Sequence, residues 1–122
     1  MKLVATNEII EKKSKFLGYL FDCDNEKEIH EGIEDLKKQH KKANHVCWAG
    51  RLTMPFFEKA VDDGEPSGTA GRPILGVLQK QDRKNVCVAV VRYFGGVKLG
   101  AGGLVRAYAK VTADLLKQKE GN

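Results

Sequence analysis

Residues Asn85 to Phe94 (NVCVAVVRYF) form an almost continuous apolar run that is rich in valine. A run of this length and composition predicts a β-strand at the centre of a sheet, buried on both of its faces. Gly95 and Gly96 follow at once and break the strand. We therefore expect a sheet built around this strand, with a glycine-rich turn at its end.

Three segments that precede this run have periodicities of their own. The segment from Lys2 to about Cys23 has two apolar runs around a polar stretch, which predicts a strand or a hairpin. Asn25, with Glu28 three residues later, is a capping-box pattern and predicts a surface helix that runs to about Lys42. Alternation from Asn44 to Leu52 predicts a strand. It should place Val46 and Trp48 on one face, and His45, Cys47 and Ala49 on the other.

The remaining segments complete the expected fold. No period is visible between Thr53 and Arg72, so this segment is expected to be a long loop. Pro73 fits the first turn of a helix from Ile74 to about Lys80. A last helix begins between Gly100 and Gly103, and the residues that close it are Lys117, Lys119 and Gly121. This order predicts an α/β chain of the α+β, two-layer kind, with a small sheet and helices on one side.

Length and composition limit the classes of protein that fit. With 122 residues, 42% of them hydrophobic, the chain is expected to form one domain over residues 1–122. No apolar run reaches the length of a membrane span, and the N-terminus becomes charged too early for a secretory signal, so we expect a cytoplasmic protein. The three cysteines never form a C-x-x-C pair, which predicts free, buried thiols. We expect no metal site and no cofactor.

The chain is basic, with a net charge of +5 and a pI near 9.1. This balance suits nucleic acid, the ribosome or an acidic protein surface. The basic residues form three clusters along the sequence: Lys12, Lys13 and Lys15; Lys37, Lys38, Lys41 and Lys42; and Lys80, Arg83 and Lys84. Each cluster alone is typical of a solvated face, so their importance depends on whether the fold brings them together.

Two long motifs stand out from the rest of the chain. The first runs from Asp62 to Pro73 (DDGEPSGTAGRP), and the second runs from Val91 to Leu104 (VRYFGGVKLGAGGL). Together they closely resemble the signature of the IMPACT/YigZ family. The segment from Lys12 to Phe16 and the strand that holds His45 also fall where that family has similar residues. The resemblance extends over nearly the whole chain.

Membership of this family implies a fold like the second domain of a small-subunit ribosomal protein, shared with bacterial ribonuclease P protein and galactokinase-type kinases. Eukaryotic members bind the activator of the kinase that phosphorylates initiation factor two, and they damp the stress response to amino-acid starvation. Bacterial members usually carry a second domain that resembles one from an elongation factor. We expect this chain to be the IMPACT-type domain alone, without that domain or the RWD domain of the eukaryotic proteins.

The first motif and the preceding strand supply the candidate catalytic residues: His45, Asp62, Asp63 and Glu65. The carboxylates could coordinate Mg²⁺ or act as acid and base. Alternatively, Asp62 to Gly64 is a turn, and Glu65 or Ser67 caps the next helix. The nearby glycines and prolines favour a close backbone approach, for example to an anion. The candidate binding residues of this motif are Ser67, Thr69 and Arg72.

The second motif places its glycines between the buried strand and a helix N-terminus, where a phosphate would sit. The spacing is not a full phosphate-binding fingerprint, so tight turning and close helix packing are an equal alternative. The candidate binding residues here are Arg92, Tyr93, Gly95, Gly96, Lys98 and Gly100. We expect the two motifs to meet in one concave site at the end of the central strand.

His45 and Cys47 share a strand face, so a cysteine–histidine nucleophile is one interpretation, although no third group is identified. A packed thiol beside a hydrogen-bonded histidine is the simpler one. The leading functional hypothesis is a translation-associated regulatory and binding domain that acts on RNA, the ribosome or a translation-control protein. The alternative is a hydrolase or phosphotransferase that uses the acidic loop, His45 and the glycine turn.

Overall fold

A computed structural model describes residues 1–118 of the chain. The elements in chain order are β1 (Lys2–Glu11), β2 (Ser14–Asp22), α1 (Glu26–Gln39), β3 (His45–Thr53), β4 (Phe56–Val61), α2 (Gly71–Lys80), β5 (Val86–Tyr93) and α3 (Gly100–Leu116). The five strands form one antiparallel sheet in the order β1-β2-β5-β3-β4. No helix within residues 1–118 is both long and apolar enough to cross a membrane.

The central position of β5 confirms the prediction made from its apolar sequence. Its side chains alternate between two apolar clusters, with Val88 and Val90 on one face and Ala89 and Val91 on the other. Helices α2 and α3 cover the first face, through residues such as Ile74 and Tyr108. Helix α1 covers the second face, through residues that include Ile29, Ile33 and Leu36.

The α+β class is thus confirmed, but the layering differs from the expectation of helices on one side. A strand that is apolar on both faces needs a cover on each face, because water would otherwise contact one set of its side chains. The amphipathic stripe of α1 supplies that second cover. The sheet is therefore the middle of three layers.

The N-terminal segment forms the predicted hairpin. Lys12 and Lys13 are the two turn residues, with φ angles of 45° and 67°, and Glu11 pairs with Ser14 across the turn. Positive φ at both positions is the geometry of a type I′ turn, whose twist matches that of the two strands. Helix α1 begins as predicted, since the Asn25 side chain accepts a hydrogen bond from the Glu28 N–H.

The structure differs from the sequence prediction in one additional strand and in the start of one helix. The expected loop from Thr53 to Arg72 contains strand β4, which pairs with β3 at the edge of the sheet. Helix α2 begins at Gly71 rather than near Pro73, because the Asp62 carboxylate accepts hydrogen bonds from the Ala70 and Gly71 N–H groups at this point. A Cβ at Gly71 would overlap the backbone of Val61, so the close packing there needs a glycine. Helix α3 ends at Leu116, and the predicted closing residues Lys119 and Gly121 lie outside the described part of the chain.

Candidate functional site

The two sequence motifs meet where β5 ends. Arg92 lies next to the last residue of β5, and Glu65 lies in the loop between β4 and α2. Arg92 Nη1 donates to both carboxylate oxygens of Glu65, at 3.0 and 2.8 Å. Glu65 is 7% exposed and Arg92 is 5% exposed. The predicted meeting of the motifs is therefore confirmed, and a buried ion pair joins them.

Three further side chains complete the hydrogen-bond network around this ion pair. Tyr108 of α3 donates its hydroxyl hydrogen to Glu65 Oε2 at 2.6 Å. His45 Nε2 lies 3.3 Å from Glu65 Oε1. Arg92 Nη2 donates to the fully buried Ser14 Oγ at 3.1 Å. Burying a charge is costly unless it is paired and hydrogen-bonded, and the network meets that requirement for the Glu65 carboxylate with contacts from three elements.

Asp62 has a structural role. Its carboxylate accepts hydrogen bonds from the backbone N–H groups of Gly68, Ala70 and Gly71, at 2.9 to 3.1 Å. Desolvation raises the pKa of Asp62, but these three donors and the nearby Arg72 outweigh it and hold the pKa below its ordinary value. Asp62 thus folds the motif loop and supports the start of α2. The Glu65 N–H donates to the Asp62 carbonyl oxygen at 3.0 Å, so the predicted turn is present. The predicted cap is wrong, because Asp62 rather than Glu65 or Ser67 accepts the hydrogen bonds at the start of α2.

Asp63 and His45 tie the same loop to the start of β3. The Val46 N–H donates to Asp63 Oδ2 at 2.7 Å, and His45 Nδ1 lies 2.8 Å from the Asp63 carbonyl oxygen. Lys37 of α1 approaches the Asp63 carboxylate at 3.9 Å. Both ring nitrogens of His45 therefore face acceptor oxygens, one from Asp63 and one from Glu65, so each can donate when it carries a hydrogen.

The glycine turn after β5 is built by close packing and unusual dihedral angles. A Cβ at Gly95 would overlap the carbonyl group of Lys13 in the β1–β2 turn. Gly96 and Gly100 have φ angles of 91° and 75°, which side-chain-bearing residues rarely adopt. Helix α3 follows without a side-chain cap at its first turn. These observations give the glycines structural reasons, and their role in binding stays a prediction.

A cleft of about 420 Å³ opens above the ion pair, and we call it the motif cleft. The residues that line it are Asn44, His45, Glu65, Pro66, Arg92, Phe94, Lys98, Leu99, Gly100, Ala101 and Leu104. Of the candidate site residues, the structure therefore brings five to this cleft: His45, Glu65, Arg92, Lys98 and Gly100.

Four other candidates point elsewhere or serve the loop itself. Tyr93 packs on the opposite face of the sheet, where its hydroxyl lies 2.6 Å from His40 Nδ1. The Thr69 hydroxyl donates to the Pro66 carbonyl oxygen at 2.6 Å. Arg72 and Ser67 are exposed and do not line the cleft.

The cysteine–histidine interpretation fails on burial. Cys47 is fully buried, and its Sγ lies 3.0 Å from the Asp62 carbonyl oxygen and 3.4 Å from Tyr108 Oη. Burial raises the pKa of the Cys47 thiol to about 12, so the thiolate that would act as nucleophile is scarce at neutral pH. Burial also raises the pKa of Tyr108 above its ordinary value. All three cysteines are free and buried, as predicted.

Four residues of the site were not among the candidates from the sequence, although each lies in or near a motif. Ser14 and Tyr108 contact the ion pair, and Phe94 and Asn44 line the cleft. Tyr108 belongs to the apolar stripe of α3, so its sequence position predicts only a core residue. The Tyr108 hydroxyl on this apolar stripe could have indicated a site residue, because a buried tyrosine hydroxyl usually needs a hydrogen-bond partner.

The geometry gives no support to the hydrolase or phosphotransferase alternative. Asp62 and Asp63 are hydrogen-bonded within the fold, and Glu65 is paired with Arg92. Within residues 1–118, no group of three or more histidine, cysteine or carboxylate side chains lies close enough together to hold a metal ion. The cleft is lined by a paired carboxylate, an aromatic ring and a lysine.

Comparison with known proteins agrees with this architecture. The sequence model of the "Impact N-terminal domain" matches residues 12–116. The chain is 48% identical to the IMPACT family member YvyE of Bacillus subtilis over 115 residues, which is 93% of this chain and 53% of the relative. It is 37% identical to YigZ of Escherichia coli over 110 residues, or 88% of this chain and 54% of the relative. The chain thus spans about half the length of these relatives.

Solved structures show the same fold. A crystal structure of a hypothetical protein superposes with a TM-score of 0.87 at 33% identity, covering 97% of this chain and 62% of the other. The two-domain translational regulator Yih1 superposes with a TM-score of 0.66 at 25% identity, covering 94% of this chain and 46% of that one. With a match to the family model over most of its length and relatives of this similarity, the chain belongs to the IMPACT family.

Proposed function

We propose that this chain is a regulatory binding domain of translational control, and that its motif cleft binds single-stranded RNA of the translation apparatus. The translational part of the proposal is supported by the likeness to Yih1, which is described as a translational regulator. Such a partner would place the domain in the cytoplasm and, where the RNA is ribosomal, on the ribosome. The choice of RNA depends on the cleft itself.

Phe94 is the observation that carries the proposal. Phe94 is 46% exposed at the rim of the cleft, although most large apolar residues of this domain are buried. The Phe94 N–H donates to Asn44 Oδ1 at 2.8 Å, and the Arg92 guanidinium carbon lies 5.6 Å from the ring centroid. The first contact fixes the Phe94 backbone, and the second places the guanidinium against the ring. RNA bases stack on fixed, exposed aromatic rings of this kind, whatever their sequence.

Charge around the cleft favours the same ligand. Lys98 lines the cleft beside Phe94, and the uncapped first turn of α3 adds backbone N–H groups at Gly100 and Ala101. A phosphate is attracted both by a lysine and by a helix N-terminus. Phe94 can therefore stack a base while Lys98 and the first turn of α3 bind the adjoining phosphate.

The fold brings two of the three basic clusters to this end of the sheet. Lys13 packs on Gly95, and Lys15 pairs with Tyr93 in the β2–β5 ladder. Lys37 approaches Asp63 next to His45. The third cluster lies before Val86, at the other end of β5, roughly 25 Å away at the rise of a β-strand. Two basic clusters therefore lie at the same end of the sheet as the cleft, with Lys13 next to the glycine turn and Lys15 on the opposite face of the sheet.

The proposal is tested by fluorescence anisotropy with a labelled single-stranded RNA of mixed sequence and with a ribosomal RNA fragment. Affinity should fall on the order of a thousandfold between 50 and 200 mM salt if several phosphates are contacted. Phe94→Ala should weaken binding about tenfold or more by removing one stacking platform. Lys98→Ala should reduce the slope of log affinity against log salt by about one.

Lys84→Ala is the matched control, because Lys84 is also an exposed lysine but lies at the far end of β5, near Asp82. It should leave RNA affinity within about twofold, since a single distant charge is screened. The absence of RNA binding at 50 mM salt, or equal effects of Lys98→Ala and Lys84→Ala, would overturn the RNA proposal. A translation-control protein would then be the partner to seek.

A further inference from the structure

A second concave surface lies between α2 and α3, and we call it the helix groove. It has a volume of about 540 Å³ and is lined by Val77, Lys80, Gln81, Arg106, Ala109, Lys110 and Ala113. None of these residues lines the motif cleft. The groove is therefore a separate surface on the same helix layer, and the function proposed above does not use it.

The floor of the groove is apolar although it faces solvent. Val77 of α2 and Ala109 and Ala113 of α3 are half-buried. The core stripe of α3, which includes Tyr108 and Val111, points instead to the sheet. Val77 also packs against the core beneath it, and the two alanines form a second, shorter apolar stripe on α3. Small residues at such positions let another helix approach closely.

The rim of the groove is positive. Lys80 stands on the α2 side, and Arg106 and Lys110 stand on the α3 side. Lys110 pairs with Asp114 at 3.0 Å, whereas the described residues provide no salt bridge to Lys80 or Arg106. Arg106 and Lys110 also line a neighbouring depression with Lys12, where Glu11 is the one acidic residue among the lining residues within 1–118. Positive charge therefore exceeds negative charge along the α3 side of the groove.

We propose that the helix groove binds an amphipathic helix of a partner protein, with small apolar residues against its floor and acidic residues along its edges. The rim charges complement such acidic residues, and a third helix between two others is a common packing arrangement. Opposite charges at a rim speed association and select the partner. The charge complementarity and the alkyl floor together define the chemistry of the occupant.

Two other occupants fit the groove less well. RNA readers present aromatic side chains to bases, and none of the lining residues of this groove is aromatic. A second copy would need to offer an acidic helix with a free apolar stripe. Helix α1 is the acidic helix of this chain, but its apolar residues Ile29, Ile33 and Leu36 are buried on its own sheet. A helix of a partner protein fits the groove better than either of these occupants.

The test uses the intact chain labelled with ¹⁵N and two synthetic helical peptides. One peptide carries leucine and alanine on one face and glutamate on the other, and the control peptide has lysine in place of each glutamate. Amide resonances are followed during titration. The acidic peptide should shift the resonances of Val77, Ala109 and Ala113 and their neighbours, while the basic peptide leaves them unchanged.

The charge-reversal variant Lys80→Glu/Arg106→Glu makes the test specific. Both side chains are exposed, so the variant should fold, and its spectrum shows whether it does. It should weaken binding of the acidic peptide on the order of tenfold and should allow the basic peptide to bind. Ala109→Gln, which fills the floor without changing charge, should weaken both interactions.

Several outcomes would overturn the proposal. Shifts scattered over the surface, or no shifts at millimolar acidic peptide, would exclude a helix site in the groove. Shifts of groove resonances by an RNA oligonucleotide would assign the groove to nucleic acid instead. Concentration-dependent shifts without any peptide, together with dimer in sedimentation, would assign it to a second copy. Because the groove and the motif cleft have separate lining residues, each assay decides one proposal only.

Discussion

The motif cleft and the helix groove differ in what lies beneath them. Below the cleft, Glu65 and Arg92 are buried, paired and hydrogen-bonded to side chains from β2, β3 and α3. Below the groove, the floor is alkyl, and all its charges stand on an exposed rim. The cleft therefore uses polar groups to hold the fold together, and the groove keeps them available to solvent.

A charge that stabilises the fold and a charge that binds a partner need different surroundings. A buried charge is held by several partners, so it is rigid but cannot leave them without a large cost. An exposed charge contributes little to folding and stays free to meet a partner. Substitutions in the two regions should consequently have different effects on stability.

The largest effect should come from Arg92→Met. This variant leaves Glu65 as a buried carboxylate without its cation, and the free energy of unfolding should fall by about 3–5 kcal/mol. Urea unfolding followed by far-UV circular dichroism measures it. The double variant Glu65→Gln/Arg92→Met should lose less than the sum of the two single variants, because the two residues are coupled. A loss below about 1 kcal/mol for Arg92→Met would show that the network does not stabilise the fold.

An intermediate effect is expected at Asp62. Asp62→Ala leaves the N–H groups of Gly68, Ala70 and Gly71 without their shared acceptor, which should cost about 1–2 kcal/mol, as for the loss of a helix cap. Asp24→Ala is the control, since no hydrogen bond is made by the Asp24 side chain within the described structure. Equal losses in the two variants would contradict the structural role of Asp62.

The pH dependence at Asp62 follows from the direction of its pKa. Because the folded pKa is lowered, the contribution of Asp62 to stability is fully present above the unfolded pKa, near 3.9. It is lost as the pH falls through the lowered folded pKa. Between pH 5 and pH 2, Asp62→Asn should therefore lose less stability than the unchanged chain, as measured by urea midpoints. Parallel curves for the two proteins would be inconsistent with a lowered pKa.

Much of the fold could be predicted from the sequence, because its signals are local. The apolar run of β5 and the capping pattern at Asn25 indicate elements by their own composition. Strand β4 could not be seen in this way. It is short, lies at an edge and is exposed at Phe56, so its pairing depends on the edge that β3 offers rather than on its own pattern. The position of α1 on the second face of the sheet likewise depends on tertiary packing, which the pattern of the helix alone does not show.

The sequence predicted only part of the candidate site, because contacts between residues distant in sequence decide the rest. The motifs indicated Glu65 and Arg92, but a sequence does not show which carboxylate is buried and which one holds a turn. Asp62 and Glu65 are three residues apart, yet one accepts backbone N–H groups and the other accepts a guanidinium. Ser14 and Tyr108, which contact the buried ion pair, lie 51 and 43 residues away from Glu65 along the chain.

The smallest effect should come from the rim of the helix groove. Lys110→Ala removes an exposed i,i+4 ion pair with Asp114, and such pairs contribute roughly 0.3–0.5 kcal/mol at most. The lysine precedes the aspartate here, which is the weaker orientation on a helix. The loss in unfolding free energy should therefore stay below about 0.5 kcal/mol and should vanish in 0.5 M NaCl, where the pair is screened. Urea midpoints at low and high salt measure both.

A loss above about 1 kcal/mol that persists at high salt would mean that Lys110 supports the folded core. The groove rim would then resemble the cleft floor, and the contrast between the two regions would fail.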